Sequence, residues 1–441
     1  MSLTVSFREL SKLTPAERGR LLVRSEAELG TVMEKAKPII AAVKAEGDEA
    51  LARFAREFDK SPVTADKLKA TPADFDAAFK ILAPDVIAAI EFAAESIRRF
   101  HTAQKPEEMW MKEVRPGAFA GDRFRPIPSV ACYVPRGKGA FPSVVMMTTI
   151  PAVVAGVPRI IIVTPPGPDG QIDAATLVAA RLSGVEEIYK CGGAQAVAAV
   201  AYGTRTVPKM AKIVGPGSPW VMAAKRLLAD VIDPGIPAGP SESIVLCDET
   251  ANPRLAALDL IVESEHGADS STFLVTESRA VAEAVRAAIP EYWKEMGEQR
   301  VAFSSAVLGG DRGGVLLAPD FEAAIAFVND YAPEHLEILG RDPFGYLGRI
   351  VNAGEILLGE NTPLPLGNFV LGPNAVLPTS GQARTCSPLS VFDFMKRSSV
   401  GYVTAAGYPE LARHAQVLAT YEGFDGHANA VSALREKARS A

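Results

Sequence analysis

The stretch SVACYVP, Ser129 to Pro135, decides the fold. It is a short apolar run stopped by a proline, as expected of a strand buried on both faces. A helical stretch follows over Val144–Ala155. A second apolar run, Ile160–Val163, then stops before Pro165 and Pro166. The alternation continues through a helix at Ala174–Leu182, a strand at Glu187–Tyr189, a helix at Ala194–Ala201, a strand at Ile213–Val214 and a helix at Pro219–Leu228. Short apolar runs alternating with helical stretches predict βαβ units around a parallel sheet.

The pattern restarts near Glu242. Ser243–Cys247 reads as a strand, Pro253–His266 as a helix, Thr272–Thr276 as a strand and Glu322–Val328 as a helix. Upstream, Ile39, Ile40, Val43, Leu51 and Phe54 recur at helical spacing with charges between them. The tail beyond Leu389 reads as mostly helical. The expected class is therefore α/β: two successive incomplete Rossmann-like βαβ domains with helical N-terminal and C-terminal segments. The expected boundaries are a helical region over 1–128 packing on the first α/β domain, that domain over 129–241, the second over 242–380, and a tail over 381–441.

A chain of 441 residues with 48% apolar and 22% charged residues can bury a sizeable core and is long enough for two or three domains. The net charge of −6 argues against nucleic acid as the main partner, because phosphate binding needs a basic footprint. No uninterrupted apolar stretch is long enough to span a membrane, and the N-terminus lacks a basic-then-apolar leader, so a cytoplasmic protein is expected. Cys132, Cys191, Cys247 and Cys386 are widely spaced and form no C-x-x-C pair. They fit a reduced compartment and buried apolar positions. Any zinc ligands must then come mainly from His, Glu, Asp or Asn.

The chemistry concentrates in four places. Asn252 and Pro253 start a helix well, and near its end Glu263 and His266 share one face, with Asp259 a turn earlier. A carboxylate and an imidazole so placed can share a metal ion, or merely pair on a surface. Ala332-Pro333-Glu334-His335-Leu336 puts two titratable groups together, suited to proton transfer and water activation, or to an ordinary helix start. The loop Gly367–Thr379 is too apolar for a solvated linker, and such loops often line sites. Glu422–His427 supplies another glycine-punctuated histidine. Of five histidines, His266, His335 and His427 sit in such polar contexts, while His101 and His414 look structural. A dinucleotide fingerprint is missing, because Gly137-Lys138-Gly139 does not complete G-x-G-x-x-G. The turns Cys191–Gln195 and Gly215–Ser218 can each bring backbone N–H groups to a phosphate at a helix start, or serve as packing turns.

Taken together, YVPRGKGAFPS, IPAVVAGV, GGAQAVAAVAYGT, KIVGPG, AGPSE, ESEHG, APEHLE, GPNAVLPTSG, LSVFDFMKRSS and EGFDGHANAV resemble the histidinol dehydrogenase family, in order and over essentially the whole chain. The resemblance implies one catalytic zinc and two successive molecules of NAD, which take a primary alcohol through an aldehyde to a carboxylate. It puts the zinc ligands on Glu263, His266, Asn368 and His427. Glu334 and His335 fall on the catalytic pair, His335 as base and Glu334 activating water. Tyr133, Gln195 and Ser218 fall on NAD contacts, which makes 129–241 the NAD side. Ser241 and Glu422 fall on substrate contacts. A homodimer is implied, the C-terminal segment reaching into the partner's site.

The chain departs from the family pattern in ways that bear on metal and substrate. The first ligand position, usually glutamine, is Glu263, and the loop ligand, usually aspartate, is Asn368. One carboxylate is gained and one lost, so the charge at the metal is unchanged and zinc binding is expected to survive. The family's Asn-His-Val-Leu-Pro-Thr becomes Asn374-Ala375-Val376-Leu377-Pro378-Thr379, which removes an imidazole that contacts substrate. Arg136 and Lys138 replace small residues, and Val144 replaces a serine. Arg136 and Lys138 are either solvated loop charges or a recognition site for a substrate anion. The expected substrate is a small polar alcohol. An alternative is an anionic dihydroxy alcohol, as in the sulfopropanediol dehydrogenase branch, and a further alternative is an inactive homologue with a binding role.

Overall fold

The computed structural model describes residues 4–24, 29–137 and 139–440. Its strands, in chain order, are β1 (Phe7–Glu9), β2 (Met109–Arg115), β3 (Ala118–Pro126), β4 (Val130–Tyr133), β5 (Ile160–Thr164), β6 (Ile188–Lys190) and β7 (Lys212–Val214). They continue with β8 (Glu242–Cys247), β9 (Ser271–Thr276), β10 (Gly313–Leu317), β11 (His335–Leu339), β12 (Glu355–Leu358) and β13 (Met395–Val403). The chain divides into two compact units. The first is Met1–Lys105 with Ile127–Phe394, and the second is Pro106–Pro126 with Met395–Ala441.

The first unit holds two parallel sheets, a four-stranded one in the order β6-β5-β4-β7 and a six-stranded one in the order β1-β10-β9-β8-β11-β12. The architecture is α/β with Rossmann-like units. Every residue of β4, β8, β9 and β11 is buried, as parallel strands covered on both faces must be. The N-terminal helices Leu29–Glu46 and Asp48–Phe58 put Ile39, Ile40, Val43, Leu51 and Phe54 into one core with the four-stranded sheet and the helices Gly193–Tyr202 and Pro219–Leu227. Alanines dominate the inner face of Gly193–Tyr202, so that helix sits close to the strands. The six-stranded sheet is covered on one side by the helices Pro253–Ser264 and Arg279–Tyr292, and on the other by Phe321–Tyr331. There Phe273 meets Phe327 and Tyr331 edge-on at 6.1 and 5.7 Å, a favoured aromatic geometry. The N-terminal segment does more than supply helices: β1 adds an edge strand to the six-stranded sheet beside β10.

The second unit differs from the expected helical tail. β13 pairs antiparallel with β3, and β3 pairs with β2, so the residues after Met395 begin with a strand before the helices Tyr408–Tyr421, Asp425–Ala430 and Ala433–Ser440. β2 carries no alternating apolar signal, its residues being almost all exposed. Among the described residues, no helix is long and apolar enough to cross a membrane.

One buried pair gives this fold a pH dependence. Asp259 on Pro253–Ser264 and Glu337 on β11 are 6% and 0% exposed; the Asp259 charge acts on Glu337, and a Glu337 hydrogen bond acts on Asp259. Burial, and then the neighbouring Asp259 charge, push Glu337 up to about 10, while burial raises Asp259 to about 6. Above the ordinary carboxyl range the unfolded chain has released a proton that the folded chain still holds. Stability therefore falls as pH rises through that window, by up to about 1.4 kcal/mol per pH unit for each such proton. Glu337→Gln keeps an amide donor beside Asp259 and removes the titration. It is expected to raise the melting temperature, by more at pH 9 than at pH 6. A gain independent of pH would show that Glu337 is ionised in the folded chain.

Candidate active site

The six-stranded sheet reverses its direction of growth at β8. The chain goes from β8 through β9 to β10 on one side, and β11 and β12 lie on the other. Open α/β sheets commonly bind ligands at the carboxyl ends of their strands at such a point. Here the titratable residues gather at the amino ends. β8 opens with Glu242 and Ser243, β11 with His335 and β12 with Glu355, and the register pairs His335 with both Ser243 and Glu355. The helix Pro253–Ser264 runs back from the far end of β8, so its C-terminus returns to this edge with Glu263. The sequence reading carried this helix to His266. In the structure it ends at Ser264 and His266 lies in the turn that follows, still beside Glu263.

Local backbone geometry presents His335. The helix Phe321–Tyr331 is capped by Ala332 at φ +52°, a left-handed conformation that costs a non-glycine residue about 1–2 kcal/mol. Pro333 then turns the chain so that His335 starts a strand, where the sequence suggested a turn or a helix start. The Gly354 and Glu355 N–H groups donate to the Pro333 and Glu334 carbonyls at 2.9 Å each. A Cβ at Gly354 would sit 2.5 Å from the Glu334 carbonyl oxygen, so only glycine lets β12 close on this turn.

His335 is 3% exposed. Its Nδ1 lies 2.9 Å from Glu355 Oε2, and its Nε2 lies 3.9 Å from Glu334 Oε1. Burial opposes charge on the ring, but the Glu355 hydrogen bond and the Glu334 and Glu263 carboxylates outweigh it and raise the ring to about 10. The proton affinity of this ring is thus set by the three carboxylates around it. Glu334 accepts the Glu242 N–H at 2.8 Å, and burial lifts its carboxyl well above the usual range. Burial acts on Glu263 in the same direction, but His266, His335, Asn368 and Ser241 together hold it below its ordinary value. Glu263, His266, Asn368, Ser241, Glu334 and His335 therefore form one electrostatically connected group.

Three of these residues offer donors that fit a zinc ion. Glu263 is nearly fully buried, with Oε2 3.3 Å from His266 Nδ1 and Oε1 accepting from Asn368 Nδ2 at 2.9 Å. The Asn368 Oδ1 atom is buried without a hydrogen-bond partner, which is costly unless something else takes the lone pairs. His266 Nδ1 lies 3.2 Å from the Val262 carbonyl, and an N–H donated there leaves the ligating lone pair on Nε2. No three His, Cys, Asp or Glu side chains gather into a metal cluster among the described residues. The set here is one carboxylate, one imidazole and one orphaned amide oxygen, a donor chemistry that zinc accepts. His427, on Asp425–Ala430, and Glu422, which caps Tyr408–Tyr421, are exposed in the second unit.

Tyr133, Gln195 and Ser218 sit at the carboxyl edge of the four-stranded sheet, which also changes its direction of growth at β4 and β7. Tyr133 closes β4, and its hydroxyl accepts the Gly193 N–H at 3.1 Å. Gly193, at φ +60°, packs against the Gln195 amide. Ser218 caps Pro219–Leu227 after the β7 turn, where a Cβ at Gly215 would lie 2.2 Å from the Tyr133 carbonyl oxygen. The buried Lys225 pins that turn by donating to the Gly215 carbonyl at 2.9 Å. Two helix N-termini and a strand end thus meet at a switch point, which suits a dinucleotide pyrophosphate. Arg136 belongs to this edge: it donates to the Gln171 carbonyl at 3.3 Å and helps line a cavity of about 250 Å³ with Asp173. Lys138 lies outside the described residues.

One contributor was not legible in the sequence: Glu355 reaches His335 only through strand register. His101, read as structural, is fully buried, with Nε2 3.3 Å from the amide of Asn374, which also donates to the Met147 carbonyl. That amide fixes the loop carrying Ala375.

A family model described as histidinol dehydrogenase matches residues 22–435. The chain is 63% identical over 433 residues to a Mesorhizobium japonicum protein named histidinol dehydrogenase homolog 2, with 98% of each chain covered. It is 47% identical over 423 residues to a histidinol dehydrogenase from Synechocystis, covering 96% of this chain and 97% of that one. A crystal structure of histidinol dehydrogenase from Elizabethkingia anophelis superposes with a TM-score of 0.91 at 32% identity, over 99% of both chains.

Proposed function

The chain belongs to the histidinol dehydrogenase family of NAD-linked oxidoreductases, and on that premise we propose that it is a zinc-dependent enzyme oxidising a small polar primary alcohol through the aldehyde to the carboxylate. The observation that carries the reading is the buried His335, held between Glu355 and Glu334 and next to the Glu263–Asn368–His266 donors. His335 Nε2 takes the hydroxyl proton as the hydride leaves the adjacent carbon for NAD. In the second half-reaction, after His335 has released the first proton to solvent, Glu334 and His335 activate water for attack on the aldehyde, and the hydrate gives its hydride to a second NAD and its hydroxyl proton to His335 to leave the acid. Zinc held by Glu263, His266, Asn368 and His427 supplies Lewis acidity and positioning when bound. Tyr133, Gln195 and Ser218 hold the dinucleotide, and Ser241 and Glu422 contact substrate.

The protein acts in the cytoplasm as a homodimer, with His427 and Glu422 contributed by the partner copy's second unit. That unit exposes Trp110, Val114, Tyr402, Val417, Leu418 and Tyr421, apolar side chains that a partner copy would cover. A second reading has the same chemistry on an anionic dihydroxy alcohol of the sulfopropanediol type, with Arg136 and Lys138 contacting the anion. Ala375 favours it, since a methyl group cannot make the hydrogen bond of the missing imidazole. An inactive binding homologue is the reading least compatible with a complete acid–base group.

Counting NADH per alcohol consumed tests the proposal, with zinc-loaded protein offered L-histidinol or sulfopropanediol. The expected yield is two NADH per alcohol. One NADH with accumulating aldehyde would refute the four-electron scheme. No NADH from any small polar alcohol, with zinc bound, would refute the dehydrogenase reading.

A further inference from the structure

We propose that Glu355 is a positioning residue that fixes the His335 ring through Nδ1 and strengthens Nε2 as a proton acceptor. The inference rests on His335 being the base. β11 and β12 are adjacent parallel strands, and their register sets His335 directly beside Glu355. The two side chains are almost fully buried and 2.9 Å apart. The other carboxylate oxygen, Oε1, is buried and has no hydrogen-bond partner among the described residues, so this carboxylate's side-chain bonding is committed to the ring. The fold leaves room for it. A Cβ at Gly367 would lie 2.7 Å from Glu355 Oε1, so any other residue there would push the carboxylate off the histidine.

The physical consequence follows from the two nitrogens of one ring. A carboxylate accepting the Nδ1–H fixes the ring orientation, leaves Nε2 with its lone pair toward the reacting proton, and stabilises the imidazolium that forms when that proton arrives. A purely architectural carboxylate at a strand start would do none of this. β12 is already held at this point by the Gly354 and Glu355 N–H bonds to the Pro333 and Glu334 carbonyls.

The test uses full-length, zinc-loaded protein with Glu355→Gln and Glu355→Asp. Glu355→Gln is expected to lower kcat about 10–100-fold with KM for alcohol and for NAD changed by less than about threefold. The acid limb of the kcat–pH profile should move to lower pH by about one unit. Glu355→Asp should recover part of both effects. An NMR titration of the ring nitrogens in histidine-labelled protein without alcohol should show His335 losing its proton at lower pH in Glu355→Gln. An unmoved acid limb, or equal loss in both variants together with a lowered melting temperature, would reduce Glu355 to a structural role and overturn the proposal. If the wild type oxidises none of the alcohols tried, the function proposed above fails on its own terms. The titration then decides this inference alone, and an unshifted His335 would overturn it.

Discussion

Replacing His335 by asparagine is expected to lower kcat about 10³-fold, within the range of about 10²–10⁴ typical of a lost general base, while zinc content and NAD affinity stay at their wild-type values. The ring is buried between two carboxylates, with Nδ1 committed to Glu355 and Nε2 facing the Glu334 side. Asparagine is polar and small enough for the same space, but a carboxamide cannot accept a proton at neutral pH. His335 is not among the proposed ligands, so zinc should remain on Glu263, His266, Asn368 and His427. Steady-state rates at saturating alcohol and NAD, with metal analysis of the same preparations, make the measurement. Retained turnover would remove His335 from the chemistry, and a parallel loss of zinc would reassign it as a ligand. The double variant sharpens the result. If Glu355 acts through His335, then Glu355→Gln on the His335→Asn background costs almost nothing further, because residues that act as one unit are not additive.

The reach of the sequence here followed the distance over which each signal acts. β4, β5 and β8 announced themselves because strands buried on both faces carry near-continuous apolar runs, and proline follows β4 and β5. The helix carrying Glu263 announced itself through Asn252 and Pro253 at its start. The strand beginning at His335 did not. Pro-Glu-His is as good a helix start as a strand start, and what decides is the pairing of β11 with β8 and β12, which no local pattern records. Glu355 stayed hidden for the same reason, being an ordinary acid in a short segment until register puts it beside His335. The hairpin β2–β3 was missed although it is local, because β2 is almost all exposed and carries no alternating apolar signal, and β13 was missed because its pairing with β3 joins segments far apart in sequence. The second sheet also carries its reactive groups at the amino edge rather than at the carboxyl edge, and only the return of the helix Pro253–Ser264 brings Glu263 there.

The largest effect on metal retention should come from separating the Glu263 and Asn368 departures. Glu263→Gln alone leaves imidazoles and amide oxygens with no anionic ligand, and zinc affinity should fall by about 100-fold or more. Asn368→Asp alone does something different. It replaces the amide now donating to Glu263 at 2.9 Å with a second carboxylate in a buried setting. Two carboxylates that close cannot both ionise without a cation, so the metal-free variant should take up a proton, melt at lower temperature and bind zinc with a steeper dependence on pH. The double variant, Glu263→Gln with Asn368→Asp, restores one carboxylate and one amide in exchanged positions. The introduced glutamine amide can then donate to the introduced aspartate, as Asn368 now donates to Glu263. Zinc affinity should return to within about tenfold of wild type, a coupling far outside additivity for two damaging changes. Zinc retained against a graded series of chelators, with melting curves of the metal-free proteins, measures each corner of the cycle. If Glu263→Gln holds zinc as tightly as wild type, Glu263 is not a ligand. If the double variant is no better than Glu263→Gln alone, the two positions do not share one metal, and the orphaned Asn368 oxygen must answer to something else.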